Sequence, residues 1–360
     1  MGFEIAQISP YVFLVMLLIV PGLACLLMCG INARDLWRGG VMFLAPVISI
    51  AIFSFPLYIA FLLQAALSSL SIIFFAILVV SISFIVFSLQ GRQISFRFLK
   101  EGDALYYVLL GCLFMGIAYV TSDAIRMNTV FGADSLFHLA RINKIIVHSA
   151  AGNFNPLTGT VIEIGKAYAN NYYHLLIAVL ATLTGLKAIS IWYFFEYMNI
   201  VLLLALTYSL SKLFFSRHDS FILTCLVFGA TFFLLDYRLE GTSVWMHATQ
   251  YPYRYLFLNY PNAYVNKVLF LSMLFLFFSY RNGRLKYAAF AVLTCMLFFS
   301  AAGIHFIGAV LMFAGLSFFL LASPLLKEPF FATCIMGPSR TSSEDSMCDS
   351  RTQDTRPPSP

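Results

Sequence analysis

Charged side chains are scarce in this sequence: Asp, Glu, Lys and Arg make up 11% of 360 residues, whereas an ordinary soluble domain carries about 25%. That shortfall excludes a soluble globular fold. The cysteines form no framework. Of the seven, Cys25, Cys29, Cys112, Cys225 and Cys295 fall inside apolar runs, Cys334 just after the last run and Cys348 close to the C-terminus, which offers neither a disulfide scaffold nor a CxxC metal pair. There is no HExxH, no Asp-rich cluster, no P-loop, no GxGxxG and no Ser/His/Asp triad motif, so the enzyme classes these mark have no support. The net charge of +6 does not indicate a nucleic-acid partner, because the Lys and Arg are scattered singly through short loops instead of forming one basic face.

What the sequence has is apolar length. Apolar residues make up 61% and the mean hydropathy is +0.86. Runs fall at 11–31, 41–63, 66–89, 104–122, 172–186, 189–213, 220–236, 265–280, 287–301 and 303–322. A hydrocarbon core of roughly 30 Å needs about 20 apolar residues per helix, and only elements that satisfy their own backbone survive there. The expectation is an all-α, polytopic transmembrane bundle of about nine or ten membrane segments over residues 1–335. The first run lacks a basic flank and a cleavage site, so it reads as a retained helix and not a signal peptide. From 336 to 360 the composition turns abruptly polar, with four prolines, as expected of a disordered tail. So abrupt a join is also what a chain cut short or read out of frame would show.

Two longer, more polar stretches, 123–171 and 237–264, interrupt the runs. Lys and Arg in short loops favour the cytoplasm. Arg34 and Arg38, then Arg92, Arg97 and Lys100, then Lys212 and Arg217, then Arg281, Arg284 and Lys286 all reach one side if the run 172–186 is a partial helix and not a full crossing. Nine crossings follow, in the plasma (inner) membrane, with both polar stretches extracytoplasmic.

In the first stretch, GADSLFHLARINKIIVHS places Asp134, His138 and Arg141 within a narrow arc of a helix, extended by Lys144 and His148. Leu136, Leu139, Ile142, Ile146 and Val147 make the opposite side. Such a helix suits the membrane interface, with its polar stripe turned to water or to a cavity. Asp134 also sits where an N-cap would accept backbone N–H groups. The second stretch is dense in aromatics, including Tyr237, Trp245, Tyr253, Tyr255, Tyr260 and Tyr264. Interfacial anchoring explains rings with polar tips; so does a surface that stacks on sugars, with Asp236, Glu240, His247 and Arg254 supplying hydrogen bonds. Glu196 lies inside an apolar run with Asn199 three positions on, and His305 lies among small residues. An acid at membrane depth is a functional candidate or a structurally paired one, and His305 reads as a packed polar residue.

Asp134 in GADSLFHLARI and His174 in YYHLLIAVLATLTGL resemble the C-type membrane glycosyltransferases, in which the first large external loop holds an acidic residue near an interfacial helix and a His- or Pro-containing start of the next membrane helix follows. The likeness covers roughly residues 104–236. It implies a polytopic fold, a lipid-linked sugar donor on a polyprenyl phosphate, and a glycan, lipid or protein acceptor. It also implies catalytic roles for Asp134, His138 and His174. Asp134 would be the general base; His138 or His174 would orient it or contact a phosphate oxygen. Arg141, Arg126, Lys166, Tyr173, Glu240, His247 and Arg254 would bind substrate, with Lys267 a further cation near the external loops. No cofactor is demanded; a divalent metal between Asp134 and His138 and a plain wet helix face are both open. Membrane lipids surround the chain, and no nucleic-acid partner is expected. The competing readings are a transporter or flippase, with Glu196, His305 and Lys187 lining a path, and an inactive membrane fragment. Transport folds usually carry internal repeats, and none is visible here.

Overall fold

The computed structural model describes residues 5–31, 43–90, 111, 133–152, 154–155, 158–160, 172–233, 264–281, 283 and 285–322. Every element assigned among them is a helix. In order they are α1 (Ile5–Met28), α2 (Leu44–Leu63), α3 (Leu67–Leu89), α4 (Ala133–His148), α5 (Tyr172–Thr184), α6 (Ala188–Ser211), α7 (Arg217–Phe233), a π-helical turn (Tyr264–Leu269) continuing into α8 (Phe270–Arg281), α9 (Tyr287–Ile304) and α10 (Phe306–Ala322). Nine of the ten apolar runs therefore carry helix. The run 104–122 lies outside the described residues except at position 111, and so does the tail from 336. Met1–Phe318 forms one compact unit; the other, Phe319–Pro360, is described only at its first four residues, the end of α10.

Four described helices have the length and apolarity to cross a membrane: Ile8–Met28, Leu44–Leu63, Leu67–Ser88 and Tyr287–Ile304. Several surfaces that a soluble protein would make polar are apolar and open, above all α3, where Ile72, Phe75, Val79 and Val86 are all exposed. The chain is an integral membrane protein built as a helical bundle.

Close approaches replace the hydrophobic effect as the source of packing between such helices. Gly22 of α1 lies against the backbone of α2: a Cβ there would overlap the carbonyl of Ala45, and its N–H donates to Ser49 Oγ at 2.7 Å. The hydroxyls of Ser54 (α2) and Ser300 (α9) bond at 2.9 Å.

α5 is 13 residues long, about 20 Å at 1.5 Å per residue, too short for a hydrocarbon core of roughly 30 Å. Its axis meets that of the first two turns of α6 at 119°. Its first residue, Tyr172, packs against Tyr58 and Phe61 in the last turns of α2 and against Gly303 at the end of α9. Its far end lies beside Leu67 and Ser68, the first residues of α3. The last turns of α2 and the first of α3 are joined by Gln64–Ala66 and form one end of the bundle, so α5 lies across that end. The same end ties down α4: Leu67 N–H donates to Ser149 O at 2.9 Å and Ala151 N–H to Ala65 O at 2.7 Å.

Candidate functional site

α4 is helical where the spacing predicts it, and its buried face draws on both stripes. His138 and Arg141 are buried at 3% and 4% exposure together with Leu139 and Ile142 of the apolar side, whereas Leu136 and Val147 of that side and His148 of the polar stripe are exposed. Through His138 this face packs against α5 and α6. A polar group buried in a membrane bundle needs a partner, and His138 finds one on α5.

That contact builds the site. His138 Nδ1 and His174 Nε2 lie 2.6 Å apart, both buried. Their rings stack with centroids 4.8 Å apart, and Trp192 of α6 stacks on His138 at 5.8 Å. Arg141, one turn along α4, is buried with its guanidinium 6.0 Å from the Phe137 ring. Tyr173, beside His174, is fully buried against Phe195 and Tyr264.

The His–His bond constrains protonation. Two imidazolium rings cannot share a 2.6 Å contact, so at least one ring is neutral, and one nitrogen donates while the other accepts. His174 Nδ1 is buried without a hydrogen-bond partner among the described residues. An orphaned N–H costs more than an orphaned lone pair, so the described surroundings favour the tautomer with that nitrogen bare. His174 Nε2–H then donates to His138 Nδ1. In that tautomer His138 carries its proton on Nε2, the form suited to an anionic oxygen. A metal on His138 Nε2 would need the opposite sense of this bond. Among the described residues no group of three or more His, Cys, Asp or Glu side chains could hold a metal ion.

Asp134 stands in the first turn of α4, one turn before His138; its carboxylate is outside what the structure describes, as are the side chain of Glu196 and all of Arg126, Lys166, Glu240, His247 and Arg254. Of the candidates, the structure brings together His138, His174 and Arg141, while Tyr173 packs on Phe195 and Tyr264. Lys267 lies in the π-helical turn. His305 follows α9 and is half-buried. Lys187 is exposed at the α5–α6 turn. Trp192 was not singled out by the sequence. One signal was there: it is one of three tryptophans and lies four residues, one helical turn, before Glu196.

No family model, curated protein or solved structure matches this chain.

Proposed function

We propose that this protein is a membrane glycosyltransferase that moves a sugar from a polyprenyl-phosphate donor to a hydroxyl acceptor on the extracytoplasmic side. The observation that supports it best is the buried His138–His174 bond. His174, at the start of the helix that the likeness to that enzyme class picks out, and His138, one turn from Asp134 by helical spacing, stand 36 positions apart and meet beside Arg141.

The chemistry then runs as a displacement at the anomeric carbon. Asp134 accepts the proton of the acceptor hydroxyl, whose oxygen forms the new bond to the sugar. The bond from the sugar to the phosphate oxygen breaks, and the lipid phosphate leaves with the electron pair. His138 Nε2–H and Arg141 meet the charge that develops on it, the Arg with a two-pronged grip. Burial strengthens both contacts. In this reading the run 172–186 is the partial helix, nine segments cross the membrane, and all short basic loops face the cytoplasm.

The test uses the full chain in detergent and a panel of lipid-linked sugars, with release of polyprenyl phosphate as the readout. Wild type should release it from one donor or more. Asp134→Ala should lower the rate by about 10²–10⁴-fold at unchanged melting temperature. Release undiminished in the variant would remove Asp134 from the base role.

A further inference from the structure

We propose a second site: the cleft between α3, α4 and the α5–α6 turn binds an anionic phospholipid of the surrounding bilayer, with its phosphate on Lys187 and a hydrocarbon chain along α3. The proposal rests on the fold and not on the transferase reading.

The cleft has a volume of about 840 Å³. Its walls are apolar at Leu67, Ile146, Leu186 and Ile189, and polar at Asn143 and Ser68. Its one charged lining residue is Lys187, and none of the lining residues is acidic. Lys187 is exposed, precedes α6 and makes no side-chain capping bond; no described residue bonds or pairs with its ammonium. Placed at headgroup depth beside an apolar cleft, such a lysine can lay its stem on the apolar wall and hold its ammonium to a lipid phosphate. The first N–H groups of α6, at the cleft-lining Ala188 and Ile189, add the positive end of a 24-residue helix.

The form of the ligand follows from what adjoins the cleft. Ser68 lines its mouth, and Ile72, Phe75, Val79 and Val86 continue from Ser68 at helical spacing on one face of α3, all exposed. A free anion would leave that apolar stripe unused, whereas a lipid covers both parts at once. The sugar donor fits less well. Its phosphate has to reach His138, which lies about 8–12 Å along α4 from Asn143 and Ile146 at 1.5 Å per residue. Lys187, which a transport path would need at the midplane, instead sits at the end of the bundle, where headgroups are.

Native mass spectrometry of the full chain released from detergent tests this, with phosphatidylglycerol, diacylglycerol, polyprenyl phosphate and inorganic phosphate offered separately and in competition. Wild type should retain one phosphatidylglycerol and no comparable diacylglycerol. Lys187→Ala should weaken retention about tenfold, and Lys187→Arg should restore it. Ser68→Trp, which fills the mouth without touching the charge, should weaken it too. A thermal melt equal to wild type qualifies each variant. Retention that ignores both Lys187→Ala and Ser68→Trp overturns the proposal, as does equal retention of diacylglycerol. Inorganic phosphate that displaces the lipid at equal concentration overturns the lipid assignment. Preference for polyprenyl phosphate with the same Lys187 dependence reassigns the cleft to the donor.

Discussion

Gly22→Val is expected to destabilise the protein by about 2–4 kcal/mol, because overpacking of about 1–3 kcal/mol adds to the loss of a buried hydrogen bond of about 1 kcal/mol. The clash is with backbone. A side chain at position 22 overlaps the carbonyl of Ala45, and α2 cannot yield there without carrying its neighbours along, since it also packs on α9 through Ser54, Phe55 and Tyr58. Separating α1 from α2 also pulls Gly22 N–H away from Ser49 Oγ. Ser49→Ala, which removes only the hydroxyl, should cost about 1 kcal/mol. A thermal melt in detergent reads both, and a Gly22→Val protein that melts with the wild type would show that α1 and α2 do not approach as described.

Removing either ring of the His138–His174 pair should cost as much activity as removing both. His138→Ala leaves His174 Nε2–H buried without an acceptor, and His174→Ala leaves His138 without the donor that fixes its tautomer, so each should slow lipid-phosphate release about 10²-fold. The double variant should be no slower than the worse single one, because the two rings act as one unit. Single variants whose losses multiply in the double would show that the rings act separately and that their bond does not set the protonation of His138.

The helical class was legible because the bilayer imposes it: runs of about 20 apolar residues admit one backbone solution. The shortness of α5 was legible too, from the length of the run 172–186 and its polar start at Asn170, Asn171, Tyr172, Tyr173 and His174. Which residues of α4 turn inward was legible only in part: His138 and Arg141 are buried, but so are Leu139 and Ile142. Periodicity shows that Asp134, His138 and Arg141 share a face, but which face turns inward depends on the medium outside, and the amphipathic pattern is the same for a helix against water and one against lipid. Trp192 escaped because a stacking partner carries no spacing signal; only the fold sets α6 beside α4. The cleft at Lys187 likewise depends on three segments, near 68, 146 and 187, that no local pattern links.

The most direct test of the transferase reading follows both halves of the donor at once, with the sugar and the polyprenyl phosphate separately labelled and the full chain reconstituted in vesicles. The account predicts that sugar appears on an extracytoplasmic acceptor one for one with release of lipid phosphate, and that neither product forms without acceptor at a comparable rate. Intact donor moved across the bilayer with both labels still joined would contradict it and make the protein a flippase.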